Sequence, residues 1–232
     1  MAAGAVALAI MLALIAARSS TPSYAGRSAE SWLCDVFDAP RGPTTQSDDI
    51  AAFREMGAKG ISFLVDSLGR QDHALRRLYR RILAKLPLAL RRRMPRPVDA
   101  DTLANAASLM LLNVRDNAPQ RTFQRLVRLL SSGNPRTRLH AAVTMQYYTL
   151  NYPQLDCVRF RPQLIRALDD GNDWVRIKIA TMLDTVGLGG PELLSALRPG
   201  LTNSDPMVRN AAQSTLDRLM ATKAAPVQSH AP

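Results

Sequence analysis

Cysteine is scarce in this chain. Cys34 and Cys157 stand far apart, and no C-x-x-C pair is present. A disulfide framework is therefore excluded, and both residues read as small buried hydrophobes. Histidine is almost as rare. His73, His140 and His230 show no metal-ligand spacing, so no metal site is expected. The acidic run Asp169–Asp173 lacks the loop length and distal Glu of a calcium hand, and helix capping explains it. Aromatic residues make up only 5% of the chain, and runs of Val, Ile, Thr and Tyr are few, which argues against a β-rich fold. No G-x-S-x-G, H-E-x-x-H, P-loop or G-x-G-x-x-G occurs. No catalytic residue, cofactor or metal ligand is assigned on this sequence.

What is present favours helices. Apolar residues reach 47%, enough for a sizeable core, and Ala, Leu and Arg dominate. The net charge of +11 implies attraction to anionic partners and is silent about fold. Residues 2–17 form an uncharged, Ala-rich run, short for a membrane span. Ser23 and Ala25 supply the small residues of an export cleavage site, but no basic residue precedes the run. Arg18 and Arg27 follow it, which would keep the C-terminal body cytoplasmic. Residues 1–25 are read as a membrane anchor through 2–17, with export after cleavage as the alternative and a soluble protein with an apolar first helix as the third reading.

Residues 26–47 read as a short helix, Ser28–Phe37 capped by Ser28, followed by the loop "DAPRGPTTQS". The tail 221–232 is small, polar and read as disordered. Between them, residues 48–220 repeat. "LVRLLSSGNPRTRLHAAVTM" from Leu126, "LIRALDDGNDWVRIKIATML" from Leu164 and "LRPGLTNSDPMVRNAAQSTL" from Leu197 share one plan. An apolar helix ends in a polar turn, an Arg follows (Arg138, Arg176, Arg209), and apolar residues recur at helical spacing after it. The Arg residues lie 38 and 33 apart, and a looser copy carries Arg76. Such a period is the mark of a helical solenoid, in which stacked helix pairs cover one another's apolar stripes. This register makes Val175, Ile179, Leu183, Ala212 and Leu216 core residues. It also lets each motif Arg reach the carbonyls or carboxylates of the turn before it.

The pattern L-x-x-L, turn, Asp-Pro-x-Val-Arg, then Ala at helical spacing resembles HEAT repeats. "SDPMVRNAAQSTL" and "NDWVRIKIATML" carry the resemblance most fully. The whole chain also resembles bacterial HEAT-repeat proteins with an apolar N-terminal segment. In these a Y-x-G-R-S-x-x-x-W-L motif follows the segment, here Tyr24, Gly26, Arg27, Ser28, Trp32 and Leu33. Cleavage after Ala25 would cut through it. The resemblance implies an all-α, right-handed superhelix of about five helix pairs that serves as a binding scaffold.

Three surface features are candidate sites. The run from Arg70 to Arg96 holds ten basic residues against Asp72. Within it Arg76, Arg77, Arg80 and Arg81 share a helix face, and Arg91, Arg92, Arg93 and Arg96 follow. It reads as an anion-binding patch or as a solvated face partly paired with Asp66, Asp99 or Asp101. Few aromatics interleave, so base stacking has little support. Second, matching Leu126 to Leu164 aligns Arg121 with Arg159 and Arg128 with Arg166, a basic concave groove or plain solvent-facing arginines. Third, Trp174 falls with Lys178, Thr181 and Thr185 on a polar line, where an indole is a candidate anchor unless it lies flat over the next turn. The expected function is a non-enzymatic scaffold for protein–protein interaction at a membrane. An anion-binding module for nucleic acid or lipid is the alternative. A helical-repeat enzyme, such as a DNA glycosylase or bilin lyase, is the second alternative.

Overall fold

The computed structural model describes residues 21–36, 43–72, 78, 81–83 and 98–224, the side chains of 43–47 and 222–224 aside. Among the described residues the fold is all-α apart from one small hairpin. It divides into two compact units, the first ending at Ala118 and the second starting at Pro119, where the sequence suggested one continuous repeat domain.

The first unit opens with β1 (Ser23–Tyr24) and β2 (Arg27–Ser28), paired antiparallel across Ala25 and Gly26, both at positive φ. Helix α1 (Ala29–Asp35) follows, capped by Ser28 as its sequence predicts. The Y-x-G-R-S-x-x-x-W-L motif is a structural clip. The Arg27 guanidinium lies 4.0 Å from the Trp32 ring centre and pairs with Asp35. The Trp32 indole N–H donates to the Tyr24 carbonyl at 3.2 Å, and Leu33 is fully buried. Helix α2 (Pro43–Leu68) starts inside the stretch expected to be loop, since Pro43 suits the first turn of a helix. Gly57, at φ 55° and ψ −135°, breaks α2 into two arms, a conformation closed to most side chains. Helix α3 (Ala100–Asn113) is capped by Asp99 and packs on α2, with Phe53, Leu64, Leu103 and Met110 buried in the unit.

The second unit is a stack of three helix pairs. These are α4 (Pro119–Leu129) with α5 (Pro135–Asn151), α6 (Arg161–Ala167) with α7 (Asp173–Thr185), and α8 (Pro191–Leu201) with α9 (Pro206–Ala224). A 3₁₀ turn, Val158–Phe160, leads into α6. The second helices form a row: α5 packs on α7, and α7 on α9. Val175, Ile179, Leu183 and Ala212 are buried in full, as their shared register requires. Leu216 is only half-buried. The buried line of α9 runs through Val208, Ala212, Thr215 and Leu219 instead, and Thr215 meets Thr181 of α7 at 3.2 Å. Helix α9 also continues past Met220 into the stretch read as tail. The glycines after α7 cap it as expected. Gly187 takes φ 70°, which frees Leu188 N–H to bond the Leu183 carbonyl and Gly187 N–H to bond that of Asp184.

Candidate binding face

The repeated turn has one construction, three times over. Asn134, Asn172 and Asp205 each accept from a backbone N–H two residues on, at 3.0, 2.9 and 2.8 Å. Each thereby caps the second helix of its pair. The motif Arg then reaches back six residues to a carbonyl: Arg138 to Ser132, Arg176 to Asp170, Arg209 to Asn203. This satisfies carbonyls that the end of the preceding helix leaves free. Arg138 also grips Asp170 of the next turn with two bonds of 2.5 and 3.1 Å, which raises its pKa above the ordinary arginine value. Arg176 pairs with Asp173, and Asp173 accepts from Asn203. The three turns are thus laced into one polar ladder along an edge of the unit.

The ladder itself lines a shallow depression of about 490 Å³, with Arg138, Asn172, Asp173, Asn203 and Asp205 on its walls beside Pro135, Trp174 and Val208. Trp174 is half-buried at its border. Its ring stands 5.8 Å from the Lys178 ammonium, and the Tyr147 ring of α5 lies 5.9 Å from the same group. Lys178 is half-buried too, and burial pushes its pKa below the ordinary lysine value. Among the described residues it forms no ion pair. Exposed Tyr147, Leu150 and Met207 lie on the same row of helices.

The sequence singled out Trp174 but passed over Tyr147. In "MQYYTL" two tyrosines stand side by side, and only the register separates buried Tyr148 from exposed Tyr147. Tyr147 lies one step off the core line of Ala141, Met145 and Tyr148, and that offset is the signal that could have found it.

The expected arginine groove takes a different place. Arg121 and Arg128 lie on α4, Arg159 on the 3₁₀ turn and Arg166 on α6, all exposed. These are first helices of their pairs, so the arginines do not share the row formed by α5, α7 and α9. Of the basic run, Arg76, Arg77, Arg80, Arg91, Arg92, Arg93 and Arg96 lie outside the described residues, as does the anchor segment 2–17. Arg81 is exposed. Arg70 serves the fold, pairing with Glu30 at 3.1 Å and stacking 4.9 Å from the Phe63 ring centre. Among the described residues no group of three His, Cys, Asp or Glu could hold a metal, and no helix is long and apolar enough to cross a membrane.

Residues 161–227 match the family model of HEAT repeats, a stretch that spans α6 through α9. No curated protein matches the chain.

Proposed function

The chain contains HEAT repeats, and from that premise we propose that it is a non-enzymatic scaffold that docks a protein partner on the row α5, α7 and α9. One observation carries this reading. Trp174 stands half-buried on an otherwise polar helix line, at the border of a depression. Interface hot spots are enriched in Trp, whose ring is apolar and whose N–H is polar. Tyr147 adds a second aromatic ring beside Lys178, and Leu150 and Met207 are further exposed apolar residues on the same row of helices. Membrane attachment through residues 2–17 belongs to the same proposal. Its support is the uncharged run, together with the folded hairpin at 23–28. A cut after Ala25 would fall in the turn of that hairpin, between strands that clip α1 in place.

Affinity capture from the protein's own cells tests the scaffold. Wild type and Trp174→Ala, matched for melting temperature, are compared. The reading requires a partner held by the first and lost from the second. An identical set of captured proteins would overturn it.

A further inference from the structure

We infer that the Lys178 ammonium, set between the Trp174 and Tyr147 rings, receives a side-chain carboxylate of the partner protein. The inference rests on the scaffold reading and names the chemistry of its partner.

Lys178 differs from the other cations of the second unit that reach into the polar ladder or across helices. Arg138 has Asp170, Arg176 has Asp173, and Arg218 has Asp184 at 3.1 Å. Arg209 has two carbonyls, at 2.7 and 2.8 Å. Among the described residues Lys178 has two aromatic faces and no acidic partner. The residues that share its line on α7 are Trp174, Thr181 and Thr185, none of them acidic, and the facing α5 offers Tyr147. A half-buried ammonium has given up part of its hydration, and aromatic faces return only some of that loss. A carboxylate from outside would complete it, in surroundings drier than open solvent, where charge-assisted bonds are strong.

The occupant is a protein segment rather than nucleic acid or a lipid surface. Polyphosphate or an anionic bilayer is gripped by several cations acting together. Here one ammonium stands near two aromatic rings, and the depression that Trp174 borders carries Asp173 and Asp205 beside Arg138, so no block of positive charge is formed. One Asp or Glu next to an apolar residue matches that ammonium, the acid meeting Lys178 and its neighbour lying on Trp174 or Tyr147.

The test is a selection of random linear peptides displayed on phage, run against the full-length protein. Representatives are then measured on wild type, Lys178→Gln, Lys178→Arg, Trp174→Ala and Tyr147→Ala, each checked for an unchanged circular dichroism melt. Tyr147 is exposed, so its removal probes the site even if Trp174→Ala fails to fold. The expected binders carry Asp or Glu beside an apolar residue. Lys178→Gln should weaken them about tenfold or more, as should Glu→Gln in the peptide, and the two changes together should add little. Lys178→Arg should keep part of the affinity. Binders that need Trp174 or Tyr147 but ignore Lys178→Gln would overturn the carboxylate and leave the scaffold standing. Acidic binders indifferent to all four substitutions would overturn the carboxylate site. A selection with no binder that needs Trp174 or Tyr147 would overturn both readings.

Discussion

Asp170 is the residue on which the second unit's turns converge. Its carboxylate accepts from Arg138 twice and from the Asn172 backbone, and its carbonyl accepts from Arg176. The side chain is almost wholly buried, at 7% exposure, and removing it leaves the part-buried Arg138 guanidinium with the Ser132 carbonyl as its remaining partner. Asp170→Ala should lower stability by about 1–3 kcal/mol, the range for removing one partner of charge-assisted hydrogen bonds. A urea midpoint equal to wild type would contradict the ladder. Cys157 makes a second prediction at this scale. Burial, aided by the Asp156 carboxylate, pushes its thiol up to about 11. Cys157 should therefore resist iodoacetamide at pH 8 in the native protein and react on unfolding. The linkage has a definite sign. An unfolded thiol ionises near 9.0, before the folded one, so Cys157's contribution holds below that pH and is lost between about 9 and about 11. Mass spectrometry of the labelled protein checks the first statement, and melts across that pH window check the second.

At the scale of helices and turns, the second unit was largely legible in the sequence. Its motif is local: cap, first helical turn, Arg and apolar line all lie within about three turns of one helix, where periodicity speaks directly. The cap residues and the Arg-to-carbonyl reach followed from that spacing. The register of α9 did not, because Leu216 looks like a core residue by type. The packed neighbour decides, and Thr181 of α7 draws Thr215 to the interface instead. Leu183→Ala should thus cost about 2–5 kcal/mol, while Leu216→Ala, half-buried, should cost clearly less. Equal losses in denaturant melts would restore the register first expected. The hairpin at 23–28 was hidden for another reason. Two-residue strands carry no period, and Arg27 stacks on Trp32 through a fold-back that only the turn at Ala25 and Gly26 creates. The candidate site was half legible. Trp174 stands out by its polar line, but its pairing with Tyr147 crosses from one repeat to the next.

For the whole molecule, the proposal joins a repeat unit that offers a partner face to an N-terminal run that holds the chain at a membrane. Full-length protein should sediment with membranes and resist extraction by salt and carbonate, and its N-terminal sequence should begin ahead of Gly26. Recovery in the soluble fraction, or a mature chain starting at Gly26, would remove the membrane from the account. The basic run from Arg70 to Arg96 is the rival surface, and salt separates the two. Binding to several cations weakens steeply as salt rises, whereas one half-buried ion pair among apolar contacts is less sensitive. The most direct measurement of the central claim is hydrogen exchange of the full chain, free and bound to its captured partner. The account predicts slowed exchange in the last turns of α5 around Tyr147 and in the first turns of α7 and α9, centred on Trp174 to Lys178, with α4, α6 and α8 unchanged. Protection confined to the first helices, or to the Arg70–Arg96 run, would contradict it.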